Sequence, residues 1–101
     1  AVSGSGPAYF FRLVEAMAEG GVALGLSPEK AMRLAAGTLT GAGRLLAQSG
    51  VDAAELRRRV TSPGGTTAAA LGVMAAADFA GIVVRAELAA AERSRELSGQ
   101  G

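Results

Sequence analysis

Apolar residues return at every third or fourth position along most of this chain, the spacing of helices that each bury one face. Phe10, Leu13, Val14, Met17, Gly21 and Leu24 form the first series. They predict a helix over residues 7–24, with Pro7 in its first turn and Gly25 as a left-handed residue at its end. Ser3-Gly4-Ser5-Gly6 is a flexible lead into it. Ser27-Pro28 opens a second helix, Ser27 as N-cap and Pro28 in the first helical position, with Lys30 where a glutamate would complete a capping box. Ala31, Leu34, Ala35, Thr38, Leu39, Ala42 and Leu45 continue as one stripe, and the helix ends near Ser49-Gly50. Gly37, Gly41 and Gly43 lie inside it, each costing about 1 kcal/mol relative to alanine. Close approach of another helix is the usual compensation.

Asp52 is placed to cap a short helix over residues 53–59. A break at residues 60–67 follows, with Ser62 or Thr61 available to cap a helix over residues 68–77. Asp78 then caps a last helix with Phe79, Ile82, Val83, Ala86, Ala90, Arg93 and Leu97 in series. Arg85, Glu92 and Arg95 give it a wet side, and residues 98–101 read as a frayed tail. The pattern is that of an all-α bundle of about five helices, without repeat or domain linker. Val84, Leu88 and Ala91 make the last helix apolar on more than one face. A single small core cannot hide that much, so the chain is expected to self-associate.

Composition sharpens this picture. With 101 residues the chain suits one domain with a modest core. Alanine dominates the apolar half, which favours helix, whereas 15 glycines oppose it. A net charge of +1 gives no electrostatic case for nucleic acid or an anionic membrane. Without cysteine there is no disulfide framework or thiolate metal site, and without histidine neither the commonest metal ligand nor the commonest acid-base group; no metal site is expected. The longest uncharged stretch, residues 60–77, opens with Thr61-Ser62-Pro63-Gly64-Gly65 and leaves too few helical residues to span a bilayer. The first residues lack the basic start and apolar run of a signal peptide, and a start at Ala1 without methionine suggests a fragment. A cytoplasmic setting is the base expectation.

Ser62-Pro63-Gly64-Gly65-Thr66-Thr67 is the segment whose composition suits binding. Pro63 fixes the entry angle, and Gly64 and Gly65 leave backbone N–H groups uncovered. The helix that follows adds further N–H groups at its positive end, which suit a carboxylate or phosphate. Ser62, Thr66 and Thr67 add hydroxyls. The same composition also fits a plain helix cap with a tight turn, and it lacks the Gly-Lys-Ser/Thr ending of a P-loop. Arg57-Arg58-Arg59 reads as a solvated helix face rather than an anion site, Met17, Met32 and Met74 as packing residues, and Tyr9 as a packing anchor.

Three stretches carry a resemblance. Val2-Ser3-Gly4-Ser5-Gly6-Pro7-Ala8-Tyr9-Phe10 resembles the junction where pyrroline-5-carboxylate reductases leave their dinucleotide-binding domain. Leu56-Arg57-Arg58-Arg59-Val60-Thr61 with the glycine-rich segment resembles that family's signature. Asp78-Phe79 to Ala86 and Arg93-Ser94-Arg95-Glu96-Leu97 are similar to its last helix. One departure is the loop Ser49-Gly50-Val51-Asp52-Ala53, where many relatives carry an acidic residue and a His/Asp-Pro pair. The resemblance implies reduction of 1-pyrroline-5-carboxylate to proline with NADPH or NADH. It also implies a Rossmann domain outside this chain, and over residues 1–101 a helical dimerisation and substrate-binding domain. That domain would form an interlocked homodimer, or a higher homo-oligomer, like the C-terminal domain of 6-phosphogluconate dehydrogenase. Ser62, Gly64, Gly65, Thr66 and Thr67 would surround the substrate carboxylate and ring nitrogen, with Thr67 catalytic through its hydroxyl near the nitrogen. Cofactor contacts from this chain stay unassigned, and the chain alone is expected to bind no cofactor and to be inactive. The rival reading is a helical dimerisation or anion-binding module without chemistry; a preceding strand with Gly-x-Gly-x-x-Gly would decide for the enzyme.

Overall fold

The computed structural model describes residues 2–99. It contains five helices: α1 (Gly6–Ala23), α2 (Pro28–Ser49), α3 (Ala53–Arg59), α4 (Thr66–Ala76) and α5 (Phe79–Leu97). No strand occurs among the described residues. The all-α expectation holds. The chain divides into two compact units, Ser5–Val51 and the described residues from Asp52 onward with the few before Ser5.

The first unit is the hairpin of α1 and α2. Its corner is a Schellman motif: Gly25, at φ 106, donates to Val22 O at 2.9 Å, and Leu26 donates to Gly21 O at 3.0 Å. Ser27 caps α2 by accepting the Lys30 N–H at 3.2 Å, with Pro28 in the first turn, and Gly50 at φ 71 ends the helix. The core between the helices is Val14 and Ala18 against Ala31 and Ala35, flanked by Leu26 and Leu39. Gly21 lets the helices approach: a Cβ there would lie 3.0 Å from that of Ala31 and 3.3 Å from Leu26 Cδ1.

One expectation needs correction here. Ala18, not only the larger residues, faces inward, while Phe10, Met17, Leu34 and Leu45 of the expected stripes stay about half exposed and Leu24 is 88 % exposed. Gly37, Gly41 and Gly43 meet nothing within 4 Å in their own chain, and the close approach between α1 and α2 falls at Gly21. Thr38 and Thr40 satisfy their hydroxyls on Leu34 O and Ala36 O of their own helix, at 2.8 and 3.1 Å. Their outward surface is then effectively apolar. A core of one valine and three alanines returns about 0.8 kcal/mol per buried methyl or methylene. Fixing backbone costs about 1–2 kcal/mol per residue. Helices of 18 and 22 residues therefore draw little of their stability from this core.

In the second unit Asp52 caps α3 as expected, accepting the Glu55 N–H at 2.8 Å. Glu55 in turn pairs with Arg58 and, at 3.1 Å, with Arg59. α4 begins at Thr66, two residues earlier than expected, and neither Ser62 nor Thr61 caps it: Gly65 holds the N-cap position, and the Thr61 hydroxyl donates back to Arg57 O at 2.5 Å. Asp78 occupies the N-cap position of α5 but makes no capping hydrogen bond. Its left-handed backbone (φ 58, ψ 50) turns the carboxylate elsewhere. Ser98 and Gly99 close α5 in order, the Ser98 hydroxyl on Arg95 O at 2.8 Å. Gln100 and Gly101, the rest of the expected frayed tail, lie outside the described residues. No residue of α3, α4 or α5 is buried. Val73, Phe79, Ile82, Val84 and Leu88 are among the exposed apolar residues. Among the described residues no single helix is long and apolar enough to cross a bilayer; α4 and α5 reach that length only together, bent by 52° at their junction.

Candidate functional site

The break before α4 is a β-turn. Gly65 N–H donates to Ser62 O at 3.0 Å, Pro63 and Gly64 fill the central positions, and Gly64 stands at φ 72. Proline followed by a residue of positive φ is the type II arrangement, and a glycine there avoids the strain a side chain would bring. Gly65 then turns extended, at φ −85 and ψ −176, and its carbonyl accepts the first helical bond from Ala69 N–H at 3.1 Å.

The turn leaves α4 uncapped. Gly65 has no side chain to offer, and no other side chain caps the helix. The N–H groups of Thr66, Thr67 and Ala68 precede the first intrahelical bond and have no helical acceptor. They converge with the positive end of the helix dipole. Ser62 lies against Gly65: a Cβ on Gly65 would come 2.5 Å from Ser62 Oγ and 3.2 Å from Ser62 O. Among the described residues the hydroxyls of Ser62, Thr66 and Thr67 make no hydrogen bond. Thr67 is partly buried, and Ser62 and Thr66 are exposed. The structure thus brings Ser62, Gly64, Gly65, Thr66 and Thr67 into one turn with free donors. Its chemistry suits an anionic group on the backbone and a neutral acceptor within reach of a hydroxyl.

The arginine triplet divides on inspection. Arg58 and Arg59 are tied to Glu55, in keeping with a solvated face. Arg57 has no ion-pair partner among the described residues and lines a recess with Leu71, Met74, Ala75, Phe79 and Ala80. That separation was available in the sequence, since Glu55 stands three and four residues before Arg58 and Arg59 but only two before Arg57. Elsewhere Arg12 is held more firmly protonated than an ordinary arginine by its hydrogen bond to Glu19, at 3.1 Å, with Glu15 assisting at 3.4 Å. Among the described residues no group of three acidic, histidine or cysteine side chains could hold a metal ion.

Comparison with known proteins places this geometry in context. The family described as pyrroline-5-carboxylate reductase dimerisation matches residues 1–97. The pyrroline-5-carboxylate reductase of Pseudomonas aeruginosa is 54% identical over 100 residues, covering 99% of this chain and 37% of that protein. The Pisum sativum reductase is 47% identical, over 96% of this chain and 36% of its own length. Among solved structures, a pyrroline-5-carboxylate reductase from Coxiella burnetii superposes with a TM-score of 0.91 at 41% identity, covering 95% of this chain and 36% of the other. The Plasmodium falciparum pyrroline carboxylate reductase with NADP bound gives 0.89 at 34% identity, over 94% and 38%. The chain therefore spans a little over a third of the length of the relatives it matches.

Proposed function

This chain belongs to the pyrroline-5-carboxylate reductase dimerisation family, and from that premise we propose that it is the helical C-terminal part of a cytoplasmic reductase that converts 1-pyrroline-5-carboxylate to L-proline, the last step of proline biosynthesis. The observation that carries the reading is the uncapped start of α4 behind the Ser62–Gly65 turn, with three unengaged hydroxyls, inside the family match. Backbone N–H groups of the first turn hold the substrate carboxylate, where the helix dipole favours negative charge. Gly64 and Gly65 let the ligand reach the backbone, and Ser62 and Thr66 wall the cradle. The Thr67 hydroxyl donates to the ring nitrogen. With no histidine in this chain, it is the donor at hand, backed by solvent.

NADPH or NADH supplies the hydride. The described residues contain no strand and the chain has no Gly-x-Gly-x-x-Gly turn, so its residues do not by themselves fit a dinucleotide. A Rossmann domain on the N-terminal side holds that cofactor. The apolar faces of α1, α2 and α5 meet a second copy in an interlocked homodimer, and neither nucleic acid nor membrane takes part.

Thr67 tests the reading. As hydride adds to the imine carbon, the nitrogen develops negative charge. A hydrogen bond to a charged group is worth about 1.5–3 kcal/mol, so Thr67→Ala in the full-length enzyme is expected to lower kcat/KM roughly 10- to 150-fold. Thr67→Ser keeps the hydroxyl and should cost far less. Because the Thr67 hydroxyl bonds nothing in the described chain, the thermal melt should scarcely move. Normal kinetics with a lowered melting temperature would remove Thr67 from the active site.

A further inference from the structure

Asp78 is the one non-glycine residue at positive φ among the described residues. It stands at the N-cap position of α5 yet does not cap. Asp52 shows the ordinary alternative, extended at φ −73 and ψ 162 with its carboxylate on the Glu55 N–H. Left-handed backbone is easy for glycine and strained for a residue with a Cβ. Aspartate tolerates it better than most residues with a Cβ, and here its carboxylate is engaged as well.

The carboxylate lies along the first turn of α5. It occupies the space above Gly81 so fully that a Cβ there would overlap it, at 2.6 Å from Cγ and 2.7 Å from Oδ1. From there Oδ2 accepts from Arg85 Nη1 at 3.3 Å. Residues 78, 81 and 85 follow one another on one helix face. A side chain at 81 would bar the carboxylate from that path.

We propose that Asp78, Gly81 and Arg85 form a latch that fixes the corner at which α5 leaves α4. The corner bends the two helices by 52°. It also brings Phe79 and Ala80 into the recess with Arg57, Leu71 and Met74. The negative carboxylate at the positive end of α5 adds to the hold without a capping bond. The latch therefore sets the direction in which α5 presents Phe79, Ile82 and Val83.

Helix propensity alone makes the opposite forecast, because a helix glycine replaced by alanine is normally stabilising. In the intact protein, Gly81→Ala is expected to leave the Tm unchanged or lower it. In an Asp78→Gly background, where no carboxylate stands in the way, the same substitution should raise Tm by about 2–4 °C. Arg85→Gln should lower Tm with Asp78 present and have no effect without it. Hydrogen exchange at the Ile82 amide, which donates to Asp78 O at 2.9 Å, should quicken in Gly81→Ala. An equal gain from Gly81→Ala in both backgrounds, or slower exchange at Ile82, overturns the latch. Neither readout involves substrate or turnover, so the result stands apart from the proposed chemistry.

Discussion

At Gly65 a missing side chain has two effects that a substitution can separate. It leaves the first turn of α4 without a cap, unlike α2 and α3, which Ser27 and Asp52 close. It also gives Ser62 room to lie against the backbone. The φ of −85 at Gly65 is comfortable for alanine. Gly65→Ala should therefore fold normally while its Cβ turns the Ser62 hydroxyl away. We expect kcat/KM to fall by up to about tenfold as the Ser62 wall of the cradle shifts, with little change in melting temperature. Gly64, at φ 72, behaves differently. Alanine there should cost about 1–2 kcal/mol of stability through the left-handed backbone. Paired kinetics and melts on the two variants check the contrast; a Gly65→Ala variant that melts early but turns over normally would make Gly65 a folding residue only.

For the helices, the glycines of α1 and α2 make the sharper test. Gly21→Ala gains about 1 kcal/mol of helix propensity but drives a methyl into Ala31 and Leu26, an overpacking cost of about 1–3 kcal/mol. Its melting temperature should fall at every protein concentration. Gly41→Leu meets nothing in its own chain. If Gly41 lies where a second copy docks, that variant should instead raise the dissociation constant of the dimer in sedimentation. Unaltered association would clear Gly41 from the interface. The limits of all but α4 were legible because side chains or glycines mark them: Ser27-Pro28, Gly25, Gly50, Asp52 and Asp78. The start of α4 was not, because its N-cap is a glycine that bonds through no side chain. The inward faces were legible only in part. Ala18 leaves almost no periodic signal beside Phe10 and Met17, and the inner face goes to whichever residues are small enough for the helices to touch. The Ser62–Thr67 segment stood out from composition and resemblance, whereas the Asp78–Arg85 contact depends on a backbone angle that no residue pattern announces.

At the scale of the whole molecule, the core among the described residues has four members, none larger than valine, while Phe10, Phe11, Leu34, Ile82 and Leu88 stand exposed. The isolated chain should show a helical circular dichroism spectrum, sediment as a dimer or larger at micromolar concentration, and oxidise no NADPH with pyrroline-5-carboxylate. A compact monomer would refute the interface, and turnover above background would refute the division of labour between domains. A core this thin also bears on how the protein is made. Phe10, Leu34 and Ile82 stand exposed in the described chain. Those same side chains are what chaperones and proteases grip. A variant that weakens association between copies should therefore lower the steady-state amount of the protein in cells, read against an unchanged rate of synthesis.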